Sequence, residues 1–152
     1  MPEIAISDTS CLIVLSKIGE LDLLRLRYGQ ILIPPKVAQE FGALFPYWIK
    51  IQEPSTNSLL KLANFKLDPG EREAIALALD HQGCRVILDD QEARNVAEQL
   101  HLKITATLGV LIKAKQSGLI SVITPLIEKI KETDFRISEA IILKALRETG
   151  EI

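Results

Sequence analysis

The chain is predicted to be one α/β domain over residues 1–152, a three-layer α/β/α sandwich with a parallel sheet of four to five strands. Three observations carry that prediction. Short β-type runs such as Ile4-Ala5-Ile6-Ser7 and Val86-Ile87-Leu88 alternate with helical patterns along the chain. Those runs are continuously apolar, as in strands covered on both faces. Hydrophobic residues make up 47% of the 152 and mean hydropathy is +0.19, enough for a single well-buried core and too apolar for disorder.

Residues 4–7 read as the first strand, followed by helical stretches over 10–17 and 20–28 that Gly19 separates. A second strand spans 30–33. Pro34-Pro35 then opens a helix to about residue 43, since first-turn N–H groups have no intrahelical partner to lose. Trp48-Ile49-Lys50-Ile51 alternates loosely and reads as an edge strand, and residues 56–65 as a weak helix. Asp68-Pro69-Gly70-Glu71 starts a strong alanine- and leucine-rich helix ending near Gly83. Residues 85–88 form the next strand, Asp89 or Asp90 begins a helix to Leu100, and residues 102–106 form the fifth strand. Thr107-Leu108-Gly109 leads into a helix ending at Gly118. Two amphipathic helices, about 125–133 and 138–149, complete a tail in which no catalytic group is read. Right-handed crossovers would bring the strand C-termini to one edge of the sheet.

No signal peptide is expected, because the N-terminal run lacks a basic segment and Asp8 interrupts it. No apolar stretch reaches membrane-span length, so no membrane role is expected. Cys11 and Cys84 lack zinc-ligand spacing and read as reduced, buried thiols of a cytoplasmic protein. The 18 basic and 20 acidic residues neither demand nor exclude nucleic acid, for which a local basic patch matters more.

Five acids, Asp8, Glu40, Glu71, Asp89 and Asp90, stand at or near the ends of apolar segments. In an open parallel sheet, ligands bind at the carboxyl ends of the strands. Carboxylates gathered there repel one another unless a cation joins them, and a hard divalent ion suits oxygen ligands. Each acid also has an ordinary structural role. Asp8 could cap its helix, although Ser10 is equally able to do so. Glu40, late in its helix, opposes the macrodipole by roughly a few tenths of a kcal/mol. Glu71 follows Asp68 at the spacing of a capping box, and Asp89-Asp90 suit a first turn. Glu73 lies about 200° round the helix from Glu71 and cannot share its face. Glu71 shares a stripe with Ile75, Ala78 and Leu79 that points toward the sheet, which favours it over Glu73.

These segments resemble the PIN-domain nucleases, α/β/α sandwiches related to the flap endonucleases. Asp8-Thr9-Ser10 is similar to the family's opening Asp-Thr-Ser/Asn, and Ile33-Pro34-Pro35-Lys36-Val37 with Glu40 to its second element. Glu71-Arg72 with Ile75, Ala76 and Ala78 resembles the third, where many members carry Asp. Leu88-Asp89-Asp90 resembles the fourth, usually Thr-x-Asp, and spacing from Gly83 puts Asp90 at the family's aspartate. Asp89-Asp90 with Ala93-Arg94, and Thr105 with Thr107-Leu108-Gly109-Val110-Leu111, resemble a prokaryotic subgroup of unassigned role. Glu at 71 and the missing hydroxyl at Leu88 are departures from the family pattern.

The resemblance implies a Mg²⁺- or Mn²⁺-dependent endoribonuclease acting on single-stranded or structured RNA. Asp8, Glu40, Glu71 and Asp90 are the expected catalytic acids, with Asp8 and Asp90 as inner-sphere ligands. Glu40, Glu71 and Asp89 would bind metal through water or orient the nucleophile. Ser10 and Thr107 are expected to hold a phosphate oxygen or metal-bound water, and Arg72 and Arg94 to meet the substrate. Lys36, Lys113 and Lys115 flank other helices and read, like His81 and His101, as surface residues. Many small members are toxins restrained by a short antitoxin, so an antitoxin-like partner and a homodimer are expected. Two other classes stay open: a PIN-like module that binds RNA or protein without cutting, and a phospho-acceptor receiver domain. Thr105-Ala106-Thr107, where a receiver needs a lysine, counts against the latter; a Rossmann nucleotide site lacks its G-x-G-x-x-G.

Overall fold

The computed structural model describes residues 3–152. Strands β1 (Ile4–Ser7), β2 (Gln30–Ile33), β3 (Ile49–Ile51), β4 (Arg85–Ile87) and β5 (Lys103–Thr105) form one parallel sheet in the order β3-β2-β1-β4-β5. The expected sandwich is present, and the loosely alternating segment is its edge strand β3. Among the described residues the helices are α1 (Thr9–Lys17), α2 (Asp22–Arg27), α3 (Pro35–Phe41), α4 (Thr56–Lys61), α5 (Pro69–Leu79), α6 (Gln91–Gln99), α7 (Thr107–Gln116), α8 (Thr124–Lys131) and α9 (Glu139–Glu148).

Strand side chains alternate between two cores, as a period of two requires. Ala5, Ile31, Ile33, Ile49 and Ile87 join Leu12, Leu15, Leu24, Val110, Leu111 and Ile127 on one face. Ile6, Leu32, Val86 and Leu88 join Leu62, Ile75, Ala78, Ala93 and Val96 on the other. The chain runs outward from β1 to β3, then returns to lay β4 and β5 on the far side of β1. The reversal between β1 and β4 is a topological switch point, where the loops leaving two neighbouring strands diverge and leave a crevice. Ile6 is in register with Val86, and Asp8 N–H donates to the Ile87 carbonyl at 3.1 Å. Asp8 and Asp89 therefore emerge side by side.

Several helices are shorter than the sequence pattern suggests, and each end has a local cause. Gly42, with φ of 68°, closes α3 at Phe41 in the left-handed conformation. Asp80 ends α5 early by accepting from Ser55 N–H, Ser55 Oγ and Ser58 Oγ, which ties that helix end to the start of α4. Glu73 accepts from Lys36 N–H at 2.9 Å, locking α5 against the N-terminus of α3. Cys11 and Cys84 are buried free thiols. Among the described residues no helix is long and apolar enough to cross a membrane.

The tail folds back and is fastened by Glu151. Its carboxylate accepts from Ile123 N–H at 2.8 Å, from Thr124 N–H at 2.9 Å and Thr124 Oγ1, and from Lys115 Nζ at 3.0 Å. Lys115, read from sequence as a surface charge, also donates to the Thr149 carbonyl. Burial opposes the charge on Glu151, but bonds from Thr124, Ile123 and Lys115 outweigh it and hold the group down to about 2. A depressed carboxyl stabilises the fold above its ordinary value of 4.5, and that contribution fades as pH falls toward about 2. Thermal unfolding followed by circular dichroism should therefore show Glu151→Gln melting below wild type at neutral pH. The gap should close as the two are compared down the range from 4.5 to about 2.

Candidate active site

Asp8 leaves β1 and caps α1, with Oδ1 accepting from Cys11 N–H at 2.9 Å. The capping role is therefore filled by Asp8 itself, and Ser10 is free for another. Its second oxygen, Oδ2, accepts from Asp89 N–H at 3.0 Å and from Ser10 Oγ at 3.1 Å. The residue is only 6% exposed. Burial, then the charge of Asp89, push its carboxyl up to about 8, against the pull of the Cys11, Asp89 and Ser10 bonds.

Asp89 is the acid that faces Asp8 most directly. Its Oδ1 accepts from Thr107 N–H at 2.8 Å, and its Oδ2 from Thr107 Oγ1 at 2.7 Å and Ser10 Oγ at 2.9 Å. Ser10 thus lies within bonding distance of both carboxylates while carrying one proton. Thr107 is fully buried with both donors engaged by Asp89. It positions that acid and is not exposed to a substrate, contrary to the sequence expectation. Asp90 caps α6 through Ala93 N–H at 3.0 Å, and its charge acts on Glu71 instead.

Glu40 and Glu71 form the opposite wall. A cavity of about 210 Å³ is lined by Asp8, Thr9, Ser10, Ile13, Glu40, Asp68 and Glu71. Thr9 Oγ1 donates to Glu40 Oε1 at 2.6 Å. Gly70, at the start of α5, leaves the space in which that carboxylate lies, because any Cβ there would collide with it. Glu71 completes a full capping box: its N–H donates to Asp68 Oδ1 at 2.8 Å, and its own carboxylate accepts from Asp68 N–H. Burial, then the charges of Asp68 and Asp90, push Glu71 up to about 7. Glu71 is thus both cap and cavity wall, whereas Glu73 faces α3.

The two arginines separate. Arg72, expected to meet the substrate, donates to the carbonyls of Leu62, Phe65 and Leu67 and so pins the α4–α5 connection. Arg94 donates one N–H to the Leu88 carbonyl and borders a second cavity beside Asp89 and Asp90. Sequence reasoning did not single out Thr9 or Asp68 for the site. The Asp68 capping signature was visible, but the pairing of Thr9 with Glu40 joins separate helices and has no local signal.

Among the described residues no three acidic, histidine or cysteine side chains converge closely enough to enclose an ion. The donor set nevertheless fits a small hard cation. Mg²⁺ keeps much of its water and commonly takes one or two carboxylates plus substrate phosphate, so a closed protein cage is not required. Asp8 and Asp89 provide such a pair: one buried and one half-buried carboxylate share a single hydroxyl proton and lack positive charge.

A carboxyl raised by folding binds its proton more tightly in the folded state, so stability falls as pH rises from the ordinary 3.8 through about 8. Asn keeps the cap while removing the charge. Urea unfolding of chelator-treated protein should show wild type losing stability across that range, and Asp8→Asn losing clearly less. Parallel declines in the two proteins would place the pH dependence elsewhere.

No curated protein matches the chain. A family model described as a PIN domain matches residues 4–151, nearly its whole length.

Proposed function

The chain belongs to the PIN-domain family, and from that premise we propose that it is an endoribonuclease dependent on Mg²⁺ or Mn²⁺. The observation that carries the reading is the pairing of Asp8 with Asp89 at the sheet's switch point, two carboxylates bridged by one hydroxyl. A nuclease-type fold supports the class of reaction, and the acidic cavity supports the place. Asp8 and Asp89 would hold the ion, with Asp90 and Glu71 acting through water. When bound, the ion would offset phosphate charge and lower the pKa of an attacking water.

The chain's own groups supply position and proton handling. Thr107, through N–H and Oγ1, fixes the Asp89 carboxylate. Ser10 lies between the two acids, at a point from which one hydroxyl reaches both. Thr9 and Gly70 set Glu40 across the cavity, and the capping box sets Glu71. With its carboxyl near 7, Glu71 can hold or release a proton at neutral pH. The same proposal includes an antitoxin-like partner and a homodimer. Leu44 and Tyr47, exposed on the loop after α3, are apolar side chains available to either.

Labelled mixed-sequence RNA incubated with Mn²⁺ tests this reading. Wild type should cleave, while Asp8→Asn and Asp89→Asn should lose more than about a hundred-fold in rate. Glu71→Gln keeps a capping partner without the charge, so undiminished cleavage would reduce that residue to a cap. A wild type that neither binds Mn²⁺ nor cuts RNA contradicts the proposal and leaves a non-cutting binding module.

Gly70→Ala separates geometry from stability. Alanine suits a helix better than glycine by up to about 1 kcal/mol, so the melting temperature should hold or rise. Its methyl group must displace the Glu40 carboxylate, and cleavage should fall by roughly ten-fold or more. Full activity in this variant would remove Glu40 from the site.

A further inference from the structure

The tail, whose sequence shows no catalytic group, builds one wall of the larger cavity beside the acidic site. That cavity has a volume of about 540 Å³, and Ser10, Asp89 and Asp90 are among the residues that line it. Its lining also includes Phe135 and Arg136 from the α8–α9 connection, Ile141 and Lys144 from α9, and Arg94 from α6. Ser10 also borders the smaller acidic cavity, so the two lie on either side of that residue.

Arg136 and Lys144 are exposed, and among the described residues neither has a carboxylate within ion-pair distance. Arg94 is held at the rim by its bond to the Leu88 carbonyl, and among the described residues no carboxylate pairs with it. Three cations that face no acid of their own, around a cavity with an aromatic and an aliphatic wall, suit a polyanion with flat apolar faces. Nucleic acid meets that description: the cavity sets cations of α6 and the tail beside the carboxylates that follow β4. A duplex keeps its bases stacked inside, whereas a single strand can turn a base onto an aromatic ring.

We propose that this cavity is the groove for the single-stranded RNA flanking the cleaved phosphate, an inference that rests on the nuclease reading above. Arg94, Arg136 and Lys144 neutralise neighbouring phosphates, and Phe135 with Ile141 receives a base. The strand enters along the tail, and its phosphate reaches the acids at Ser10. The tail thereby selects unpaired RNA, and base identity is read weakly, because stacking tolerates every base.

The test measures binding apart from cutting. Full-length protein in excess chelator is titrated against a fluorescein-labelled single strand of about 12 nucleotides, over a range of NaCl, by anisotropy. Wild type should bind with a steep salt dependence and bind the matching RNA duplex more weakly. Arg136→Gln with Lys144→Gln should weaken binding by about ten-fold or more, and flatten the log–log salt slope by about 0.7 for each phosphate left without its cation. Phe135→Leu should weaken binding without changing that slope. Lys103→Gln, at the opposite edge of the sheet, should behave as wild type.

A double variant with wild-type affinity and slope overturns the groove, as does a wild type that binds no single strand. A double variant that loses binding to labelled polyglutamate, titrated in the same way, while keeping RNA binding also overturns it, and would assign the wall to an acidic protein. Hydrolysis with Mn²⁺ is read separately. Binding that depends on Arg136 and Lys144 without any cleavage upholds the groove and fails the nuclease reading. Cleavage with an unchanged KM in the double variant does the reverse.

Discussion

One buried carboxylate constrains the rest of the site: Asp8 must cap α1 inside the protein while lying against Asp89. Capping is worth about 1 kcal/mol, which does not explain placing a second like charge beside it. Bonds from Cys11, Asp89 and Ser10 reduce the conflict, yet the carboxyl still rises to about 8. A carboxylate needed only as a cap would be better placed in solvent. Its location at the switch point is where this class of sheet leaves a crevice for ligands.

The fold tolerates so much negative charge because its helices start where its strands end. In a parallel α/β architecture the N-termini of the crossover helices collect at the carboxyl edge of the sheet. Asp8 caps α1, Asp68 caps α5, Asp90 caps α6, and Asp89 accepts from the first residue of α7. Each such placement favours the charged form of the acid by roughly 0.3–1 kcal/mol through the helix dipole. Four positive helix ends hold the acids in place without neutralising them fully. The remaining deficit is what a cation, and then a phosphate, would meet.

Local chemistry made much of this legible in the sequence. Apolar runs of strand length pointed to the parallel sheet, and Asp68 with Glu71 carried the signature of the capping box that α5 forms. The placement of Asp8 and Asp89 at one edge followed from crossover handedness. What local patterns could not supply were partnerships between distant segments. Asp89 and Asp90 are adjacent residues of the same type, and only the fold sends one to Thr107 and the other to cap α6. Arg72 read as a cation near an acid, but three carbonyls of the α4–α5 connection engage it. The tail was opaque for the same reason: its amphipathic pattern gives a packing face, while its return to the acidic edge is fixed by Glu151 and Lys115.

The pair Asp8 and Asp89 is tested most directly by the proton that a cation should displace. With its carboxyl near 8, Asp8 carries a proton at neutral pH that a metal ligand must give up. Calorimetric titration of chelator-treated protein with Mn²⁺ at pH 7, in buffers of different ionisation enthalpy, counts that proton. Binding should release about one proton per ion, and Asp8→Asn should abolish the release together with most of the affinity. Mn²⁺ binding of unchanged affinity and proton count in Asp8→Asn, or no binding by wild type, would contradict a cation site built on this pair.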